Sequence, residues 1–183
     1  DGFRDKHDHN DYEAQAIAEE ISAILKNEDF VGRTIGVVSL LGMDQAKHID
    51  SIVRQRCDAA ELLHRKFECG EARTFQGSER DIMFLSMVVD SKNCHALSGL
   101  KFDQRFNVAA SRARDRMYLV RSVNSSDLSD KDLRLSLLSH FNKPMVTDKE
   151  EAEVLIDQCE SGFEREVFSI LASRGYRVIP QVK

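Results

Sequence analysis

The sequence predicts an α/β domain with a mainly parallel sheet, and three observations carry that expectation. Apolar runs of strand length at residues 34–40, 82–89 and 117–120 lack the alternation of a sheet with one wet face, so each is expected to be buried on both sides. Stretches with apolar residues at 3.6-residue spacing lie among them. Capping and turn residues separate the two kinds of segment. Strands that alternate with helices pair in parallel, with the helices laid on the sheet.

In chain order, residues 1–10 are polar and expected to be frayed. Asn10-x-x-Glu13 reads as a capping box, the Asn meeting an orphan backbone donor and the Glu reaching back. Ala14, Ile17, Ala18, Ile21, Ile24 and Leu25 then mark an amphipathic helix that ends near Lys26-Asn27. A loop through Gly32 leads to the first central strand. Gly42 to Asp44 makes the turn out of it, with Asp44 expected to cap a helix striped by Ala46, Ile49, Ile52 and Val53. Asp58-x-x-Glu61 opens a short helix, and residues 67–75 read as an edge strand interrupted by Gly70. The turn Gln76-Gly77-Ser78 precedes the second buried strand. Residues 102–114 read as a helix through Phe106, Ala109, Ala110 and Ala113, and the third buried strand follows.

Residues 132–141 form one more helix, stopped by Lys143-Pro144. An acidic stretch over 147–160 comes next. Ser161-x-x-Glu164 is a second capping box, its helix carrying Phe163, Val167, Ile170 and Leu171 and ending at Gly175. Tyr176, Val178 and Val182 alternate as a strand would. The organisation expected is one domain over 1–145 and a linker with the beginning of another over 146–183.

Composition narrows the class. With 183 residues, 42% of them hydrophobic and 31% charged, the chain can bury an ordinary core. The net charge of −5 argues against a polybasic nucleic-acid arm. No apolar run reaches membrane-span length and no leader opens the chain, so a cytoplasmic globular protein without a membrane partner is expected. Cys57, Cys69, Cys94 and Cys159 stand far apart, without the clustering zinc requires, and read as reduced, mostly buried thiols. No resident metal site is expected.

Two stretches carry chemistry. Thr74-Phe75-Gln76-Gly77-Ser78-Glu79-Arg80-Asp81 leads into one strand, and Arg105-Phe106-Asn107-Val108-Ala109-Ala110-Ser111-Arg112-Ala113-Arg114 leads into another. Gln76-Gly77 permits a tight turn, and Glu79 offers an acceptor suited to a sugar hydroxyl. Arg112 and Arg114 are expected on one alanine-faced helix, presenting forked cations to phosphate oxygens. The plainer reading of the same residues is a surface ion-pair set: Glu79, Arg80 and Asp81 with Arg112, Arg114 and Asp115.

These stretches resemble motifs V and VI of superfamily 1B DNA/RNA helicases, roughly Phe-Gln-Gly-x-Glu-x-Asp and Arg-x-Asn-Val-Ala-x-(Ser/Thr)-Arg-Ala-Arg. The strand at 35–40 with Gln45 beyond it is similar to motif IV, and the Asn10-x-x-Glu13-Ala14 helix precedes it as in that family. The likeness covers about residues 8–142. It implies the RecA-like P-loop NTPase fold and a role as the second motor domain of an ATP-dependent helicase. ATP with Mg2+ would lie in a cleft shared with a first RecA-like domain outside this chain. Arg112 would be the arginine finger, with Gln76, Gly77, Glu79 and Gln45 contacting nucleotide. Arg105 and Arg114 would couple the site to motion, and Ser39 and Thr74 would lie near single-stranded DNA or RNA. The aromatic residue and arginine that relatives carry around the motif IV glutamine are absent; Leu40, Leu41 and Ala46 stand there, with Lys47 nearby.

No Gly-x-x-x-x-Gly-Lys-(Ser/Thr) occurs, so this chain alone is expected to hydrolyse no ATP. Residues 162–182 resemble the opening of restriction-endonuclease-like PD-(D/E)XK domains, which implies a metal-binding role for Glu164 once later strands supply their carboxylates and lysine. Two other readings stand beside the motor: a non-catalytic RecA-like scaffold, and a nuclease for which residues 1–145 serve only in docking. Because strands of open α/β sheets receive ligands at their carboxyl ends, the turns after Leu40 and beside Phe75 are the expected places for the site.

Overall fold

The computed structural model describes residues 2–5, 9–92, 94–142, 155–159, 161–174 and 178. The chain divides into two compact units, 1–138 and 139–183. The boundary expected from sequence was 145/146.

Among the described residues of the first unit, four strands form one sheet: β1 (Ile35–Ser39), β2 (Glu68–Glu71), β3 (Arg80–Asp90) and β4 (Ala113–Ser122). Their order is β2-β1-β3-β4 and every pair is parallel. This is the α/β architecture with a parallel sheet that the unalternating apolar runs predicted, and it agrees with the RecA-like fold that the resemblance implies. The chain steps from β1 to one side for β2 and to the other side for β3. The strand order therefore reverses beside β1, where open sheets of this kind form a crevice.

Helix α1 (Asp11–Lys26) and helix α2 (Met43–Arg56) cover one face. Ala14, Ile17, Ile21 and Ile24 of α1 and Ile49 and Val53 of α2 meet Ile35, Val37, Ile82 and Phe84 from alternate positions of β1 and β3. Tyr118 of β4 stacks on Phe84, ring centroids 4.7 Å apart. On the opposite face the backbone of Gly36 lies against Met83 and Phe75. A Cβ there would fall 2.5 Å from Met83 Sδ and 2.9 Å from Phe75 Cε1, so β1 needs glycine at that point.

Several local expectations are corrected. Asp44 does not cap α2; Gly42, at φ +121°, is the residue before the helix, and Asp44 sits in its first turn. The span 67–75 is a strand only over β2, and residues Ala72–Phe75 close into a 3-10 turn. The helix at 102–114 is α4 (Leu100–Ala110), after the short α3 (Ala59–His64) that Asp58 caps through bonds from the Ala60 and Glu61 amides. Arg112 and Arg114 are thus not on a helix. Arg112 lies in the turn after α4, and Arg114 is the second residue of β4, because Ala113 pairs with Arg80 and draws the chain into the sheet. β4 is half-exposed rather than buried, since it forms the sheet edge and begins Arg114-Asp115-Arg116.

α5 (Leu133–Asn142) begins next to a buried pair in which the Arg134 guanidinium grips both Asp132 carboxylate oxygens, at 2.9 and 2.5 Å. In the second unit, α6 (Gly162–Ser173) starts as expected, with Ser161 Oγ accepting from the Glu164 amide at 3.1 Å. Gly175, Tyr176, Val182 and most of the acidic stretch 147–160 lie outside the described residues. Cys57, Cys69, Cys94 and Cys159 are all free thiols, but only Cys159 is buried, the other three being partly exposed. No helix among the described residues is long and apolar enough to cross a membrane.

Candidate functional site

The crevice at the carboxyl ends of β1 and β3, the first place expected to receive a ligand, is filled by the domain itself. Gln45, 1% exposed, clamps the Asn10 peptide: its Oε1 accepts from Asn10 N at 2.8 Å and its Nε2 donates to Asn10 O at 3.0 Å. Nε2 also reaches Ser86 Oγ at 3.3 Å. Gln45, for which the resemblance implies a nucleotide contact, thus has its amide engaged in closing this edge. Ser39, at the end of β1, is fully buried and its hydroxyl has no partner, so it does not present itself to a nucleic-acid backbone either.

The same region holds a group whose importance the sequence did not reveal. Glu13 is 2% exposed. Its Oε2 accepts from Ser86 Oγ at 2.7 Å and from Val88 N at 2.9 Å, and its Oε1 from Asn10 Nδ2 at 3.3 Å. The capping box is therefore half formed. Asn10 Oδ1 accepts from the Glu13 amide, but the Glu13 carboxylate goes to β3, leaving the Asn10 N–H to Gln45. Burial raises the Glu13 pKa to about 7, against the lowering effect of these hydrogen bonds.

The motif residues gather at the other end of the sheet. Arg80 N donates to Arg112 O at 3.0 Å, which joins the turn before β3 to the turn before β4. Gln76, Gly77 and Glu79 lie in the first turn, exposed, with Gly77 at φ +82° and open space where a side chain would be. Thr74 is exposed in the preceding 3-10 turn, against Gly70. A cleft of about 550 Å³ opens between that turn and α4, lined by Arg73, Gln76, Gln104, Arg105, Asn107 and Val108, with Ala72 at its base. Arg105 is held toward it by Glu71 at 3.9 Å and by the Phe102 ring at 5.7 Å. Arg73 and Gln104 were not singled out in the sequence; each adjoins a motif, which is the signal that could have found them.

The ion-pair reading accounts for most of the charges here. Arg114 Nε donates to Glu79 Oε2 at 3.0 Å. Arg80 bonds Glu68 at 2.5 Å and the Lys66 and Glu79 carbonyls at 3.0 and 2.9 Å. Arg33 lies 3.7 Å from Asp115. Asp81 Oδ2 accepts from both the amide and the hydroxyl of Thr34 at 2.8 Å, and the Thr34 amide chiefly holds its pKa below the usual range. Arg112 is the exception. Its Nε donates to Val108 O at 3.1 Å and its Nη2 to Ser111 Oγ at 2.7 Å, and among the described residues no carboxylate pairs with it. The guanidinium is half-exposed and tethered by neutral groups, so its charge is not balanced by any of these neighbours.

A family model described as AAA domain matches residues 3–124. The chain belongs to that family. As an AAA domain of the helicase-like, P-loop class, it is an ATPase-type domain, and the matched span takes in the whole sheet and both motif stretches. No curated protein matches the chain. This AAA domain carries its distinctive cation at the amino ends of β3 and β4, opposite the edge that open-sheet geometry favours. No group of His, Cys, Asp and Glu among its described residues is arranged to hold a metal ion.

Proposed function

We propose that this chain is the second RecA-like motor domain of an ATP-dependent helicase or translocase on single-stranded nucleic acid, DNA rather than RNA on the strength of its nuclease-like tail. The observation that carries the reading is Arg112. It stands in a sequence pattern like motif VI, in a helicase-like AAA domain, and it is the member of its charge cluster that no carboxylate among the described residues neutralises. The open edge suits a nucleotide: Gly77 leaves room for backbone approach, and Arg105 and the amides of Gln76, Gln104 and Asn107 line the adjoining cleft.

ATP supplies the phosphoryl bond whose hydrolysis drives motion; its phosphate cradle and Mg2+ ligands come from a P-loop-bearing partner domain, since this sequence holds no such loop. Arg112 reaches across to the γ-phosphate and balances the charge that develops during transfer. Glu79 faces the ribose and phosphates, which requires its exposed bond to Arg114 to exchange for the ligand. Arg105 and Arg114 relay closure of the cleft, and Thr74 lies toward the strand. Glu164 is the first metal-binding carboxylate of a PD-(D/E)XK-like domain that begins near residue 146. The Glu79–Arg114 bond is also what favours the alternative, a RecA-like scaffold whose ion pairs serve stability alone.

The test joins this chain to a P-loop-bearing RecA-like domain and measures ATP hydrolysis with and without a single-stranded oligonucleotide. Stimulated turnover that Arg112→Ala lowers by about 10³-fold, with ATP still bound, is the expected result. Turnover that the substitution leaves unchanged overturns the motor reading in favour of the scaffold.

A further inference from the structure

The buried network at the carboxyl edge of the sheet contains a conflict. The Glu13 carboxylate accepts from three donors, Ser86 Oγ, Val88 N and Asn10 Nδ2. Ser86 Oγ also accepts from Gln45 Nε2. That arrangement suits an ionised acid. Yet no ion pair reaches Glu13 among the described residues, and a buried charge without a counter-charge is costly, which suits the neutral acid. The two protonation states are thereby brought close in energy.

What this carboxylate holds is strained. Val88, whose amide it accepts, sits at φ +70°, a left-handed conformation that a β-branched residue rarely adopts, at the irregularity between Ser86 and Asp90 in the pairing of β3 with β4. Residues 2–5 lie over the network as a strap. A Cβ on Gly2 would stand 2.3 Å from Ser122 Oγ and 2.7 Å from Asn10 Oδ1, and Arg4 N donates to Asp90 Oδ2 at 2.5 Å. Asn10 Nδ2 in turn bonds Ser122 Oγ at 2.9 Å and Val88 O at 3.3 Å.

We propose that Glu13 is a protonation latch: its neutral form holds the Val88 bulge and the 2–5 strap most firmly over the crevice between β1 and β3, and its ionisation makes their transient opening more frequent. Among the described residues, the groups facing Glu13 are neutral: Ser86, Val88 and the Met87 backbone from β3, Ser122 from β4, Asn10 ahead of α1, and Gln45 of α2 one bond further. Titratable and charged groups on those elements are engaged elsewhere. Asp90 accepts from the Arg4 and Lys92 amides, His9 pairs with Asp5 and stacks on His48, and His48 pairs with Asp11. Arg121 is held by Val123 O and Asn124 Oδ1.

The sign follows from linkage. The closed state holds the Glu13 proton up to about pH 7, while the hydrated open state releases it near the ordinary value of 4.5. Opening therefore becomes more favourable as pH rises from 4.5 to 7 and levels off above that. The test is amide hydrogen exchange of Val88 in the 183-residue chain, corrected for intrinsic rate. Its protection is expected to fall about 40-fold from pH 5 to pH 7 and no more than about twofold beyond. In Glu13→Gln, where a neutral amide can donate to Ser122 as the acid would, protection should stay at the pH 5 level throughout. The same pH dependence in Glu13→Gln would assign the effect to His9, His48 or Asp90 and overturn the latch. Should that variant not fold, carbon-13 NMR of the Glu13 carboxyl in the unaltered chain decides: a midpoint near 7 that coincides with the levelling supports the latch, and a midpoint near 4.5 contradicts it.

Discussion

At the carboxyl ends of β1 and β3, Asn10, Glu13, Gln45 and Ser86 turn inward and bond one another, and residues 2–5 lie over them. At the amino ends of β3 and β4, Gln76, Gly77, Glu79 and Arg114 face water, and among the described residues no carboxylate pairs with Arg112. Both edges are polar, so composition does not distinguish them; what differs is whether the hydrogen bonds close within the chain. A closed set fixes the position of elements and is expensive to break. An open set costs little to rearrange, which is what a ligand that must bind and leave requires.

The comparison predicts substitutions of unequal weight. The largest effect on stability should come from Gln45→Ala, which removes three buried hydrogen bonds and strands the Asn10 peptide. Denaturant unfolding should show a loss of about 3–4 kcal/mol; a loss below about 1 kcal/mol would mean that water replaces Gln45 and that this edge is not closed. Next is pH. Glu13, with its raised pKa, stabilises the fold fully below about pH 4.5, and this contribution, about 3 kcal/mol, is lost by pH 7. Asp81 has the opposite sign: its depressed pKa contributes stability at neutral pH that disappears as pH falls through its folded value. Unfolding curves of Glu13→Gln and Asp81→Asn should therefore flatten opposite limbs of the pH profile. The smallest effect belongs to Arg112→Ala, whose bonds to Val108 and Ser111 are partly exposed; unfolding should change by less than about 0.5 kcal/mol. A loss of 2 kcal/mol would make Arg112 a structural residue and blur the distinction between the edges.

The parts of this molecule legible in the sequence are the ones encoded by neighbours along the chain. Helix α1 announces itself through Ala14, Ile17, Ile21 and Ile24, and β1 and β3 through runs too apolar for any wet face. The motif residues were legible because each stretch is contiguous. The errors arise where distant pairing decides. Ala109, Ala110 and Ala113 look like one helical face, yet pairing of Ala113 with Arg80 ends the helix at Ala110 and puts Arg114 in a strand. Glu13 matches a capping box locally, and only the arrival of Ser86 and Val88 turns it into a buried acid. Gln45 follows the same logic with Asn10, 35 positions away. That β4 is half-exposed depends on strand order, which no local pattern states.

The measurement that tests the contrast most directly is photo-crosslinking of an azido-ATP to this chain joined to a P-loop-bearing partner domain, followed by mapping of the labelled peptides. Label confined to residues 73–79 and 104–112 is the predicted result. Label at residues 41–45 or 86–88 would contradict it, placing nucleotide in the crevice that Asn10, Glu13 and Gln45 are here argued to close.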